Sequence, residues 1–475
     1  MNKLTKNYIY NSVYQLMIVI IPLITTPYLT RTLGKTLLGI DSYVLSIVQL
    51  TNTIGTLGTN VYANREIAYV RDDRQKLSKT FVEIFLIRLL LCVFSSIIYL
   101  FIGFNSQYRL VFSIQCLSVI SGFLDISWLF IGIEEMRPVV IRNVCVKLAV
   151  TGCVFLFVKS EDDFYKYIII YSLGQVLGTL LMYLQFHNII ELEKCEKIEL
   201  KKHFIPIFLL FLPQAATSMY GIFDKTMLGI LSTDISCVSL YDKAQTIVKT
   251  PLLFASALSA VLMPRMANEF AMNHIDSVKV LVKNACNYML LLFMPISVGM
   301  YVISNNFVPW YLGMEYFESI PVVKVLSSII MAIALTNVSG AQFLVASNNT
   351  KYLTISYVTG AILNVIGNYY IIPVMNEVGA AFTTLLAEWI VFLIQFWAVH
   401  KILGNLGLKN IIFKRCIATC IMFIATLYIG NISCSIYIVF IQIIVGALLY
   451  FGILVFLKDE CIADGLILIK TKIKR

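Results

Sequence analysis

Residues 81–104 read FVEIFLIRLLLCVFSSIIYLFIGF, a run of 24 positions. As a helix rising about 1.5 Å per residue, it is long enough to cross a hydrocarbon layer of about 30 Å. Runs of the same kind recur at 8–30, 37–63, 110–133, 139–158, 164–187, 204–231, 237–264, 284–304, 320–346, 352–373, 378–400, 413–430 and 435–457, fourteen spans in all. The 475 residues are 59% hydrophobic and 13% charged, with a mean hydropathy of +0.82, and no water-facing surface can be built from that composition. The fold class is therefore an all-α integral membrane protein with about fourteen transmembrane helices. The first span follows Lys3 and Lys6 as a signal peptide would, but it is too long, contains Pro22 and Pro27 and lacks a small-x-small cleavage site. It reads as a permanent span.

The formal net charge is +10, and its placement decides its meaning. With the N-terminus taken as cytoplasmic, 26 basic residues fall on the inner side, among them Arg65, Arg71, Arg74, Arg142, Lys201, Lys202 and Arg415. Only Arg31, Lys35, Arg109, Lys159 and Lys166 fall outside. This asymmetry places both termini in the cytoplasm and assigns the basic excess to orientation and lipid headgroups, not to nucleic acid. Most of the eleven cysteines lie in apolar segments, where cysteine packs as a small hydrophobe. Cys416 and Cys420 are one helical turn apart, not the CxxC spacing of a redox or zinc site.

A shift of 214 residues lays Phe130-Ile-Gly-Ile-Glu-Glu-Met-Arg137 over Leu344-Val-Ala-Ser-Asn-Asn-Thr-Lys351 and aligns spans 5 and 6 with 11 and 12 without gaps. The organisation expected is an N-lobe at 1–190 (spans 1–6), a cytoplasmic linker at 191–203, a C-lobe at 204–401 (spans 7–12), and two further spans with a cytoplasmic tail at 402–475. Internal repeats of this kind are common in transporters.

Six basic residues lie within spans: Arg88, Lys147, Lys225, Lys243, Lys249 and Lys324. Each would cost about 2.5–3.5 kcal/mol facing lipid at a helix centre, so each is expected in the bundle or a cavity. Asp125, Asp224, Asp242 and Glu388 are the acids at comparable depth, which leaves a cationic surplus suited to an anionic cargo. The structural alternative is a set of ion pairs fixing helix packing. In span 7, Pro213, Gln214, Thr217 and Ser218 precede Asp224 and Lys225, so one stripe of that helix is unsuited to lipid. Trp128, beside Asp125, is either a platform for a sugar or a packing residue, and packing is about twice as frequent for a tryptophan at that depth.

Several segments carry a family resemblance. They are Pro22-Leu-Ile-Thr-Thr-Pro27-Tyr-Leu-Thr-Arg31-Thr-Leu-Gly34, Asp125-Ile-Ser-Trp128-Leu-Phe-Ile-Gly132-Ile-Glu134, Asp224-Lys225-Thr-Met-Leu-Gly229, Met263-Pro264-Arg265, and Asn364 through Pro373 followed by Gly379-Ala-Ala and Glu388. In this order and spacing the chain resembles the polysaccharide repeat-unit flippases, the Wzx-type branch of the superfamily that also holds the multidrug and toxin extrusion transporters and the peptidoglycan-precursor flippases. Asp41, in Gly39-Ile-Asp41, departs from the uncharged start of span 2 usual in that family.

The resemblance implies a V-shaped pair of six-helix lobes plus two C-terminal helices in a bacterial cytoplasmic membrane. It implies movement of a polyprenyl-pyrophosphate-linked oligosaccharide from the inner to the outer leaflet by alternating access. The partners implied are that glycolipid, membrane lipids, and polysaccharide polymerase and chain-length machinery, with no nucleic acid. On this reading Lys225 and Lys249 hold the pyrophosphate, Arg31 assists its exit, Arg88 contributes, and Trp128 meets the glycan. Asp125, Asp224 and Glu388 are candidates for H⁺ or Na⁺ coupling, and neither a cofactor nor a structural metal is expected. A multidrug or cation antiporter of the same superfamily is the alternative, disfavoured by a first span without Asp or Glu. An integral-membrane polysaccharide polymerase is a further one, disfavoured by the absence of HExxH and of a large outer domain.

Overall fold

Helix α3 (Arg74–Asn105) shows why the chain belongs in lipid. Leu90, Phe94, Ile97 and Phe101, on one face, are 62–71% exposed, whereas Glu83, Arg88, Ser95 and Tyr99 are buried. The polar side chains point inward and the bare hydrocarbon outward, the reverse of a water-soluble helix. The computed structural model describes residues 3–186, 189–191, 198–433 and 435–463, with the side chains of 3–14, 16, 209–220, 256–258, 260 and 261 outside the described residues. The side chains of Pro213, Gln214, Thr217 and Ser218 are therefore outside them, as are Lys194, Lys197, Lys470, Lys472, Lys474 and Arg475.

The described residues form an all-helical chain. Around α3 lie α1 (Lys3–Thr56), α2 (Thr59–Val70), α4 (Arg109–Leu124), α5 (Ser127–Gly132), α6 (Met136–Phe157) and α7 (Phe164–Tyr183). Then come α8 (Lys201–Leu231), α9 (Ser236–Lys249), α10 (Leu252–Ala271), α11 (Ile275–Leu312), α12 (Ser319–Ser327) and α13 (Ile329–Thr336). A π-helix at Asn337–Leu344 leads to α14 (Thr350–Leu403), α15 (Lys409–Gly430) and α16 (Ile436–Phe456). Among the described residues, ten helical stretches are long and apolar enough to cross a membrane. Two of them are double: α1 is broken at Gly34 (φ 71°) and α14 at Asn376 (φ 47°), between the expected spans 1 and 2 and spans 11 and 12. Adding α8 and the α9–α10 pair gives the fourteen spans. The chain is a multi-pass membrane protein.

Two compact units result, residues 1–230 with 234–239, and residues 231–233 with 240–475. The linker-based boundary at 191–203 follows the repeat, whereas packing groups α8 with the first unit. Close approach is the reason. A Cβ on Gly229 would lie 1.9 Å from the Tyr43 ring, and one on Gly39 would lie 2.3 Å from the Ile235 carbonyl oxygen. Thr226 and Ser46 share a hydroxyl hydrogen bond of 2.8 Å beside the first of these contacts.

The repeat reappears in the backbone. Glu134 (φ 60°) and Asn348 (φ 57°), 214 positions apart, both take the left-handed conformation that ends a helix. In each turn the same two bonds close: Glu134 N to Ile131 O and Glu135 N to Phe130 O, then Asn348 N to Val345 O and Asn349 N to Leu344 O. Asn273 and Lys458 end α10 and α16 in the same way. At one end of the first unit Arg71 pairs with Glu134 (2.5 Å) and Arg74 with Glu191 (3.7 Å), joining three segments all read as cytoplasmic. In the α8–α9 turn, the Ser236 backbone N–H and hydroxyl, with the charge of Lys35, hold the Asp234 carboxyl below its ordinary range.

Gly229→Leu should force α8 away from Tyr43 and cost about 1–3 kcal/mol, seen as a lower melting temperature in detergent. Gly152→Leu, where a Cβ meets nothing within 4 Å, should leave the melting temperature unchanged.

Candidate functional site

The fourth span is interrupted at Asp125 and Ile126, between α4 and α5. Such a break frees carbonyls that lipid cannot satisfy, so protein donors must reach them. Arg88 donates to Gly122 O (2.5 Å) and to Asn60 Oδ1 (2.8 Å), and Tyr183 donates its hydroxyl to Leu124 O (2.8 Å). A guanidinium at a helix C-terminus also suits the helix dipole. On the far side of the break Asp125 accepts from the Ser127 N–H (3.2 Å) and hydroxyl and from Arg142 (3.1 Å). Arg88 is 1% exposed and its guanidinium spans the break through these two bonds. Trp128, at 2% exposure, stacks on Phe81 at 5.0 Å within an aromatic core.

Asp224 and Glu388 are buried, Lys225 and Lys249 are half-buried, and Arg31 is exposed. Lys249 is the last residue of α9, ahead of Pro251, where an ammonium suits the helix C-terminus whatever else it binds. Lys243 pairs with its neighbour Asp242 (2.9 Å), and Lys324 lies 5.6 Å from the Tyr301 ring centroid. Among the described residues, no group of three or more His, Cys, Asp or Glu is arranged to hold a metal.

Three polar clusters were missed from the sequence. Asp41 accepts from Gln115 (2.6 Å) and Tyr167 (3.3 Å) in the first unit. Glu83 accepts from His203 (2.8 Å), Lys202 (2.9 Å) and the Glu199 N–H (2.8 Å). Arg415, counted as a loop residue by charge alone, is fully buried and grips Asp459 through Nε and Nη2 while donating to Asn287. Asp41 carried a sequence signal as an acid at the start of a span. The other two join residues far apart in sequence, and nothing local announces them.

In the second unit, α11, α15 and α16 line a half-open cavity of about 330 Å³ bordered by Leu291, Pro295, Ile303, Met422, Ile443 and Phe451 among others. Its wall is hydrocarbon except for Thr426, Gln442 and Tyr450. Tyr450 Oη and Gln442 Oε1 are buried there without a hydrogen-bond partner among the described residues. The Arg415–Asp459 pair ties α15 to the chain just beyond α16, so the two helices that wall the cavity are fastened together.

A family model described as "Polysaccharide biosynthesis protein" matches residues 4–270. The chain is 24% identical over 417 residues to the "Putative O-antigen transporter" of Escherichia coli strain K12, covering 85% of this chain and 99% of that protein. A protein of the same description from Shigella dysenteriae is 24% identical over 389 residues. Among solved structures, the lipid II flippase MurJ in an inward closed conformation superposes with a TM-score of 0.77 at 16% identity, covering 96% of this chain and 100% of that one. An inward-facing multidrug resistance MATE family transporter of the MOP superfamily follows with a TM-score of 0.60 at 11% identity, covering 81% of this chain and 98% of that one. At such identities the structural likenesses speak for the fold.

Arg88→Met should leave the Gly122 carbonyl and Asn60 amide without their donor, at about 1–3 kcal/mol for each group. Protein yield and melting temperature should fall, and Arg88→Lys should recover part of both. A stable Arg88→Met protein that fails only in transport would instead make Arg88 a ligand.

Proposed function

We propose that this chain, which belongs to the polysaccharide biosynthesis protein family, is a flippase that carries a polyprenyl-pyrophosphate-linked oligosaccharide from the inner to the outer leaflet. The observation that carries this reading is the match to a named O-antigen transporter over 99% of that relative's length. The chemistry of the cargo explains why such a chain is needed. A hydrated glycan and a diphosphate cannot enter hydrocarbon unaided, whereas the prenyl tail can stay in it. The cavity between α11, α15 and α16 offers an apolar berth of about 330 Å³ for isoprenoid units. Lys225, Lys249 and Arg31 are the basic residues assigned to the diphosphate, with Arg88 as a contributor and Trp128 toward the glycan.

For coupling, Asp125, Asp224 and Glu388 stand as candidates to take a proton or Na⁺. Asp125 is the most reachable, since its side chain keeps a third of its surface exposed while bonded to Arg142. The partners follow from the cargo: a polymerase that extends the unit after delivery and chain-length machinery that limits it. The basic asymmetry supports a topology with both termini in the cytoplasm, the family resemblance supports a bacterial cytoplasmic membrane, and reporter fusions at Arg74 and Lys201 should both read as cytoplasmic.

The direct test uses purified protein in vesicles loaded with a fluorescent polyprenyl-pyrophosphate oligosaccharide and an impermeant quencher. Protein should raise the fraction of quenchable lipid; export of a cationic dye in its place would favour the antiporter reading, and elongation of the glycan by the protein alone the polymerase. A lysine–phosphate bond in a partly dry cavity contributes about 1.5–3 kcal/mol, or about 10- to 150-fold in affinity. Lys225→Gln and Lys249→Gln should therefore each slow flipping at least tenfold at normal protein level, with Lys→Arg retaining part of the rate. Full flipping by a stable double variant would remove both lysines from the diphosphate.

A further inference from the structure

Where the linker enters α8, three buried side chains from three helices form one hydrogen-bonded line. His203 on α8 meets Glu83 Oε2 on α3 through Nε2 (2.8 Å) and the Tyr62 hydroxyl on α2 through Nδ1 (2.6 Å). Glu83 is 0% exposed, and His203 and Tyr62 are each 3% exposed. A carboxylate can only accept, so Nε2 carries the hydrogen; in the neutral ring Nδ1 then accepts from the tyrosine O–H. Every polar atom of the line is then satisfied.

We propose that Tyr62, His203 and Glu83 form a proton-binding site whose occupancy decides whether the start of α8 is tied to α2 and α3 together or to α3 alone. A proton added at Nδ1 turns the imidazole into a cation with two donors. The Nδ1–H now points at the Tyr62 oxygen, which can accept it only by turning its own hydrogen away, into a buried surrounding. At the other end, the bond to Glu83 becomes an ion pair and strengthens. Lys202, which also holds Glu83 Oε2 (2.9 Å) but is 46% exposed, can then move to water.

The other charges that face this line leave that sign unchanged. Arg65 lies 5.5 Å from the Tyr62 ring centroid and is neutralised by Glu66 at 3.0 Å. The Glu199 N–H donates to the second oxygen of Glu83 whatever the state of His203. Farther along the linker, the Glu191 N–H is held by the Ser78 hydroxyl (2.9 Å), and the Glu191 carboxylate by Arg74. The strap between α7 and α8 is thus fixed to α3 at two further places, the Glu191 and Glu199 N–H groups. The bond to α2 is the one that changes.

The consequence lies in α8 itself, which carries Asp224 and Lys225 farther along and begins with the residues just described. A proton arriving from the side of the basic loops would free α2 from α8, and this holds whatever the cargo. The test is made on the whole protein in nanodiscs. With only four histidines in the chain, ¹⁵N-histidine labelling resolves His203, and H203Q identifies its signal. The ring should pass from the neutral Nε2–H form at high pH to the doubly protonated form at low pH, read from its ¹⁵N shifts. Over the same interval the amides of 59–70 should lose about tenfold in exchange protection, after correction for the intrinsic pH dependence of exchange, while those of 201–208 should not. H203Q should abolish that change, and Y62F should give the released level at every pH. A wild-type His203 that keeps one protonation state throughout, or a pH response of residues 59–70 that persists in H203Q, would overturn the proposal.

Discussion

In a hydrocarbon layer a carbonyl that leaves its helix has no water to turn to, and the first unit is built around one place where this happens. The interruption between α4 and α5 frees the Gly122 and Leu124 carbonyls, and Arg88 and Tyr183 satisfy them from two other helices. Because Arg88 also holds Asn60 on α2, and Asp125 holds Arg142 on α6, the break becomes the point at which five helices are joined by bonds with direction. Apolar packing between helices in lipid has little of that directionality, since a leucine gains nearly as much from a lipid tail as from a neighbour. The aromatic core of Phe81, Trp128 and Phe186 then fills the space these bonds define.

The second unit meets the same constraint. Arg415 and Asp459 form the fully buried pair there, fastened to Asn287 on α11. Removing one member of such a pair strands the other and costs about 3–5 kcal/mol, whereas the intact pair contributes little net stability. What the pair supplies is position. It sets α15 and α16 against α11, and the cavity beside them is lined by Gly299, where a Cβ would meet nothing within 4 Å, and by Pro295.

Span number, span limits and the repeat were legible in the sequence because they rest on runs of apolar residues, and a run is local. The breaks at Gly34 and Asn376 fell between proposed spans for the same reason. The roles of the embedded charges were not legible. Arg88, Lys225 and Lys249 look alike in sequence, each a cation in an apolar segment, and nothing local announces that Arg88 reaches a carbonyl 34 residues away. His203 and Glu83 are 120 positions apart, and no periodicity links them. Trp128 showed its depth in the sequence but not its neighbour, Phe81, which decides what its faces touch.

The repeat shows which of these features folding requires. Position 126, at the α4–α5 break, falls 214 residues before position 340, inside the π-helix Asn337–Leu344, so the fourth span of each half leaves α geometry at the same level. The supports differ. In the first half Asp125 is bridged to Arg142 by an ion pair at 3.1 Å. In the second, the equivalent positions are Ser339 and Ser356, joined through Gln395, which accepts from Ser339 (3.0 Å) and donates to Ser356 (2.9 Å). A neutral serine–glutamine–serine chain thus supports the irregular helix as well as a charged pair does. A neutral chain avoids the cost of keeping two charges at membrane depth. The fold therefore does not demand a carboxylate at this level, and the one at Asp125, alone of the two equivalent sites, keeps a titratable group in reach of water.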